Sequence, residues 1–195
     1  HKKITTPTVV NKKELKKITA LSTPPDVLAV FELPSSKKEI RINTGNLSIA
    51  LDNIRDPGNL GTIIRTADWF GITDIYCSND TVDAFNPKVV QATMGSLART
   101  NIVYTDLKEL LSTRPYSVPV FGALLDGISL NEMEPHETGI ILIGSEAHGI
   151  SSELIPLIDN KITIPLLNQN MHKRPESLNS SVAAAIICYA LKIRT

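Results

Sequence analysis

Three short segments carry side chains suited to chemistry on a polar ligand. The first, Asp52-Asn53-Ile54-Arg55-Asp56-Pro57-Gly58-Asn59-Leu60-Gly61, runs into Thr62-Ile63-Ile64-Arg65-Thr66-Ala67-Asp68. Pro57-Gly58 predicts a tight turn, Asn59 stands where a helix begins, and Arg65 follows about two turns later. Its guanidinium can grip an anion bidentately, or pair with Asp68 at i,i+3 on a solvated face; the spacing leaves both open. The second segment is Gly144-Ser145-Glu146-Ala147-His148-Gly149-Ile150-Ser151. Gly144 would let a ligand approach the backbone closely and Gly149 permits a turn, as in any glycine-rich strand-to-helix loop. It is not a serine nucleophile elbow, because G-x-S-x-G would need glycine at Ile143. The third is Ile164-Pro165, a polar loop, then Glu176-Ser177-Leu178-Asn179-Ser180-Ser181-Val182-Ala183-Ala184-Ala185. Ser177 or Asn179 can cap a helix there, and the run of small residues allows a second backbone to pack close.

Other chemistries are disfavoured. Neither G-x-G-x-x-G nor G-x-x-x-x-G-K-[ST] occurs, so the usual dinucleotide and phosphate-cradling loops are missing. His1, His136, His148 and His172 lack metal-ligand spacing, and no metal is expected. Cys77 and Cys188 lie far apart in apolar segments, as small core residues of a reducing compartment do; a cytoplasmic protein is expected. No apolar run reaches the roughly 18 residues of a membrane span, and His1-Lys2-Lys3-Ile4-Thr5 does not read as a signal peptide.

The elements that must position these segments alternate along the chain. Strands are expected at 47–51, 74–77, 102–104, 119–121, 139–143 and 161–164. Helices are expected at 58–70, from Asn86-Pro87 to about Leu97, from Asp106 to Thr113, after Ser151, and at about 178–193. Alternation of this kind implies parallel strands joined by crossovers, an α/β sheet with helices on both faces. Gly139–Ile143 is apolar without alternation, as a strand buried on both sides should be. Ligands of such sheets sit beyond the carboxyl ends of the strands, where all three segments fall.

With 195 residues, 42% hydrophobic and 21% charged, the chain has ordinary globular composition, which excludes wholesale disorder. Its net charge of zero divides unevenly. Residues 1–45 carry nine basic and four acidic side chains, and residues 46–195 carry eleven and sixteen. A basic front end suits a polyanion, and equally a solvated surface. Residues 33–45 have the polar, proline-containing composition of a linker, which leaves 1–32 too short for a core of its own.

Taken in order, the three segments resemble the signature motifs of the SpoU (TrmH-type) RNA ribose 2′-O-methyltransferases of the SPOUT class. Asn59-Leu60-Gly61 with Arg65-Thr66-Ala67-Asp68 and Phe70-Gly71 resembles the first. Leu142 to Ile150 resembles the second, and Ile164-Pro165 with Ser177-Leu178-Asn179-Ser180-Ser181-Val182-Ala183 the third. The resemblance covers residues 46–195. It implies an α/β-knot, a mostly parallel sheet whose C-terminal segment forms a deep trefoil knot. It also implies S-adenosyl-L-methionine as cofactor, a homodimer, and RNA as partner, with rRNA favoured over tRNA. By motif, Gly144, Ile164, Leu178 and, as a weaker fourth, Ala123 would bed the cofactor. Arg65, Asn59, Glu146, Ser177 and Asn179 would form the catalytic neighbourhood.

Ile18-Thr19-Ala20 and Thr23 to Phe31 resemble the end of the L30e-like RNA-binding domain that precedes many members, so 1–32 is expected to be its C-terminal remnant and the intact protein longer. One stretch departs from the family pattern. Residues 166–176 form eleven residues without glycine, where members usually have a short glycine-containing loop. That departure motivates the alternative, a non-catalytic RNA-binding or assembly protein that retains the fold.

Overall fold

The computed structural model describes residues 7–19, 23–33, 40–167 and 177–193. It divides into two compact units, His1–Lys38 and Glu39–Thr195. In the first, α1 (Lys12–Ile18) opens with a capping box: Asn11 accepts from the Lys13 and Glu14 amides, and Glu14 accepts from the Asn11 amide.

The second unit is built on six strands: β1 (Leu47–Leu51), β2 (Asp74–Cys77), β3 (Asn101–Tyr104), β4 (Val120–Ser129), β5 (Gly139–Ile143) and β6 (Asn160–Thr163). They lie in the order β3-β2-β1-β5-β4-β6, and every pairing is parallel. The chain winds outward from β1 to β3, crosses to β4, returns to lay β5 between β1 and β4, and finishes at the opposite edge with β6. Strand order therefore reverses between β1 and β5, which opens a crevice at their carboxyl ends.

Side-chain alternation sorts the strands into two cores. On one face Leu47, Ile49, Leu51, Ile141 and Ile143 meet α2 (Pro57–Trp69) and α5 (Ser180–Ile193) through Leu60, Ile63, Ile64, Ala184, Ile187 and Leu191. On the other, Ala50, Tyr76, Ile140 and Leu142 pack against Leu107, Leu110 and Leu111 of α4 (Leu107–Ser112) and against Ile150 and Leu154. β1 and β5 are buried along their whole length, which explains their unalternating apolar sequence. α3 (Pro87–Ala92) comes so close to α2 that a Cβ on Gly61 would lie 2.4 Å from the Ala92 Cβ.

Some expectations need revision. Pro57-Gly58 is not a free turn but the first turn of α2, because Asp56 caps the Asn59 amide at 2.8 Å and proline is accommodated at the first helical position. The helix expected from 86 to 97 stops at Ala92. Met94 and Gly95 take positive φ, and a 3-10 turn follows at Ser96–Ala98. After Ser151 there is only a 3-10 turn, Ile155–Leu157, where Pro156 has no amide to continue a ladder. β4 is much longer than three residues, continuing past an irregularity between Ala123 and Ile128 to pair again with β6. Among the described residues, no helix is long and apolar enough to cross a membrane.

Cys77 and Cys188 are fully buried, and burial pushes both thiols up to about 12. The folded chain should therefore leave a thiol-disulfide reagent unreacted at pH 8, and release two equivalents once unfolded in guanidinium. The unfolded chain loses these protons first, so thermal stability should fall as pH rises above about 9.

Candidate functional site

The crevice between β1 and β5 is shaped by the segment leaving β1. Buried Asp52 continues the ladder, its amide donating to the Ile143 carbonyl at 2.9 Å. Its carboxylate accepts the Ser151 amide at 2.7 Å, which ties the exit of the 144–151 loop to the end of β1. Asn53 adopts φ +59°, with its amide on the Ser78 hydroxyl and its side-chain oxygen accepting Arg55 Nε at 2.8 Å. With Asp56 capping α2, Asn59 is held on the first turn, facing the next loop.

That loop folds back on itself. Ser145 and Gly149 exchange backbone hydrogen bonds at 3.1 and 2.8 Å, and Gly149 sits at φ +68°. A Cβ on Gly144 would lie 2.1 Å from the Gly149 carbonyl carbon and 2.3 Å from the Ile150 nitrogen. The close approach that requires glycine here is made by the loop's own backbone. The fold-back presents Glu146, whose Oε1 accepts Asn59 Nδ2 at 3.0 Å and the Ser180 amide at 2.9 Å. Asn179 Nδ2 donates to Asn59 Oδ1 at 2.9 Å, while its own Oδ1 accepts the Ser181 and Val182 amides and so caps α5. Three segments separated by 87 and 120 residues are locked into one polar chain, Asn179–Asn59–Glu146–Ser180. It borders a cavity of about 230 Å³ lined by Asn53, Arg55, Asn59, Glu146, His148 and Ser180 among others.

Of the expected catalytic residues, Asn59, Glu146 and Asn179 are joined directly. Ser177 is exposed two residues before Asn179, and Asn179, not Ser177, forms the cap. Arg65 is exposed on α2, about 9 Å along the axis from Asn59, and has no hydrogen-bond or ion-pair partner among the described residues. The pairing with Asp68 that its spacing allowed is not made, since Asp68 is engaged by Arg99. The expected backbone positions lie at the carboxyl ends of β4, β5 and β6. Gly122 pairs with Leu142 and Ala123 with Ile162, so Ala123 is level with Ile143, and Gly144 and Ile164 follow just beyond. Leu178, half exposed, lies next to Asn179. Residues 168–176, with His172, Lys173 and Arg174, lie outside the described residues. Among the described residues no group of three His, Cys, Asp or Glu could hold a metal.

Two contributors carry little signal in the sequence. Ser180 was legible only as a small helix residue, yet its amide is what Glu146 binds. Asp52 is marked by being a buried carboxylate directly after an apolar strand, a position that demands a partner.

Comparison with known proteins bears on this geometry. The model of the SpoU rRNA Methylase family matches residues 46–189. The chain belongs to that family. Among SpoU relatives is the Bacillus subtilis 23S rRNA (guanosine(2553)-2'-O)-methyltransferase RlmP, 33% identical over 90% of this chain and 68% of its own length. Three further curated relatives are matched over 52–59% of their length. A putative TrmH-family RNA methyltransferase from Porphyromonas gingivalis superposes with a TM-score of 0.82 at 40% identity, covering 93% of this chain and 71% of that one. The SpoU methyltransferase AviRb from Streptomyces viridochromogenes, solved with AdoMet, gives 0.77 at 26% identity, over 94% and 71%. All three SpoU-like segments fall inside the matched range, as do the parallel sheet and its crevice.

The fold-back of the 144–151 loop predicts the behaviour of two alanine variants. Gly144→Ala must displace Gly149 or Ile150, and should cost about 1–3 kcal/mol, roughly 2–4 °C of melting temperature per kcal/mol. Gly45→Ala, whose Cβ would meet only Asn43 Oδ1 at 3.8 Å, should melt within a degree or so of the parent in the same scan.

Proposed function

We propose that this chain is an S-adenosyl-L-methionine-dependent RNA methyltransferase that acts on a ribose 2′-hydroxyl, with ribosomal RNA favoured over transfer RNA. The observation that carries this reading is the hydrogen-bonded chain Asn179–Asn59–Glu146–Ser180, which joins all three motif segments at the β1/β5 crevice and leaves Arg65 unengaged one helix face away. The AviRb likeness supports the choice of donor. So do the residues themselves. Half-buried Ala123, Gly144 and Ile164 bring backbone groups to the carboxyl end of three neighbouring strands, suited to hydrogen bonds with an adenosyl group.

S-adenosyl-L-methionine, when bound, supplies a methyl group on a sulfonium, so its S–C bond breaks as the O–C bond forms in an in-line displacement. The chain's task is then to place the ribose oxygen and to ease loss of its proton. Holding two reactants in near-attack geometry is worth as much as roughly 7–11 kcal/mol. Asn59, fixed at both ends of its amide by Glu146 and Asn179, is a rigid element against which a ribose can be oriented. A guanidinium is a poor free base, so proton abstraction is not the part Arg65 plays. Its strength is bidentate binding of a neighbouring phosphate and stabilisation of negative charge on the attacking oxygen.

The same reading assigns α5 a further role. Val182, Ile186 and Tyr189 form an exposed apolar stripe at helical spacing, 46%, 38% and 56% accessible, suited to a homodimer contact. In this reading the C-terminal segment is threaded as a deep trefoil knot, residues 1–32 help recruit RNA ahead of a 33–45 linker and a 46–195 catalytic domain, and the protein works in the cytoplasm.

Calorimetry should register S-adenosyl-L-methionine binding, and tritiated methyl transfer to rRNA transcribed in vitro should be lost by at least about 100-fold in Arg65→Ala. The affinity for the methyl donor should stay within twofold of the parent. Near-normal turnover in that variant would remove Arg65 from the mechanism. Absence of binding at millimolar donor would favour the non-catalytic alternative.

A further inference from the structure

The unengaged state of Arg65 has a visible cause three residues further along α2. Asp68 shares the exposed face with Arg65 at i+3, a spacing at which opposite charges on a helix ordinarily pair. It is instead taken by Arg99, from the short segment after the Ser96–Ala98 turn. Arg99 Nε lies 3.2 and 3.0 Å from the two carboxylate oxygens and Nη2 lies 2.6 Å from Oδ2. The guanidinium is itself steered by Ser96, whose hydroxyl accepts Nη2 at 3.3 Å and whose side chain is buried. Hydrogen bonds from Arg99 first, then Ser96, hold the Asp68 carboxyl below the usual carboxylate range, so it stays ionised and attractive to any nearby cation.

As a stabilising contact this pair is weak, for the Arg99 side chain is 60% exposed and solvent screens it. Its consequence is geometric. Nε is shared between the two carboxylate oxygens and Nη2 sits on Oδ2, so the carboxylate is turned to Arg99 and makes no bond to Arg65.

We propose that Arg99 is a positioning residue: by engaging Asp68 bidentately it keeps Arg65 available for the RNA phosphate. This rests on the function proposed above for Arg65. Without Arg99, Asp68 turns to Arg65 and presents an uncompensated negative charge beside the site where a phosphate must bind. A competing i,i+3 pair together with that repulsion is expected to lower kcat/KM for RNA by about three- to tenfold. The affinity for S-adenosyl-L-methionine should be unchanged.

The test compares the parent with Arg99→Ala, Asp68→Asn and the double variant. In arginine-labelled protein without substrate, the Arg65 Nε–H resonance should shift in Arg99→Ala and return in the double variant. Methyl transfer to rRNA transcribed in vitro should fall in Arg99→Ala, recover to within twofold of the parent in the double variant, and hold in Asp68→Asn alone. An unmoved Arg65 resonance, or a loss that Asp68→Asn does not rescue, would overturn the proposal; the latter would mean that Arg99 itself meets the RNA. If the parent neither binds the methyl donor nor methylates RNA, the proposed function fails, while the resonance still decides whether Arg99 governs Arg65.

Discussion

Glu146 Oε1 is the point on which the crevice turns. One oxygen accepts a side-chain amide from the first turn of α2 and a backbone amide from the first turn of α5, so two helices that leave distant parts of the chain share an acceptor. A carboxylate is suited to this task, because hydrogen bonds to a charged acceptor are roughly twice as strong as neutral ones and one of its donors is the first amide of α5, at the positive end of that helix. Everything else in the region serves to put that oxygen there. Gly144 allows the loop to reverse, the Ser145–Gly149 bridge fixes the reversal, and Asp52 pins its exit.

The division of labour between scaffold and site follows from the winding of the sheet. β1 and β5, fully buried and directly paired, form the centre of the sheet, and the loops at their carboxyl ends are anchored to it. Polar groups on those loops can then be exposed while still tied to the core. Arg65 is placed differently, on the outer face of a helix whose inner face, through Ile63, Ile64 and Ala67, is committed to the core. Its side chain has the freedom of a surface group, and electrostatics of neighbouring residues decides what it meets.

Much of this was legible in the sequence because it depends on patterns longer than one residue. The apolar run Gly139–Ile143, the alternation of strands and helices, and the three segments at strand ends all announce themselves through period and order. What escaped depends on local backbone choices or on partners distant in sequence. A positive φ at Met94 ended α3 early, and Pro156 kept the segment after Ser151 from becoming a helix. At Gly144 composition shows that a backbone comes close but not that it is the loop's own. Arg99 gave no signal at all, since its partner is 31 residues away and neither residue is unusual in type.

The insertion of β5 between β1 and β4 bears on how the molecule is made. During synthesis both neighbours emerge before the strand that separates them, so each leaves the ribosome with an open edge of unpaired amides and carbonyls. If those two edges join prematurely, β5 is excluded and the crevice has no second wall. Correct assembly therefore requires β1 and β4 to remain apart while the residues from the end of β4 to the end of β5 are translated, a task of about one to three seconds at roughly 5–20 residues per second.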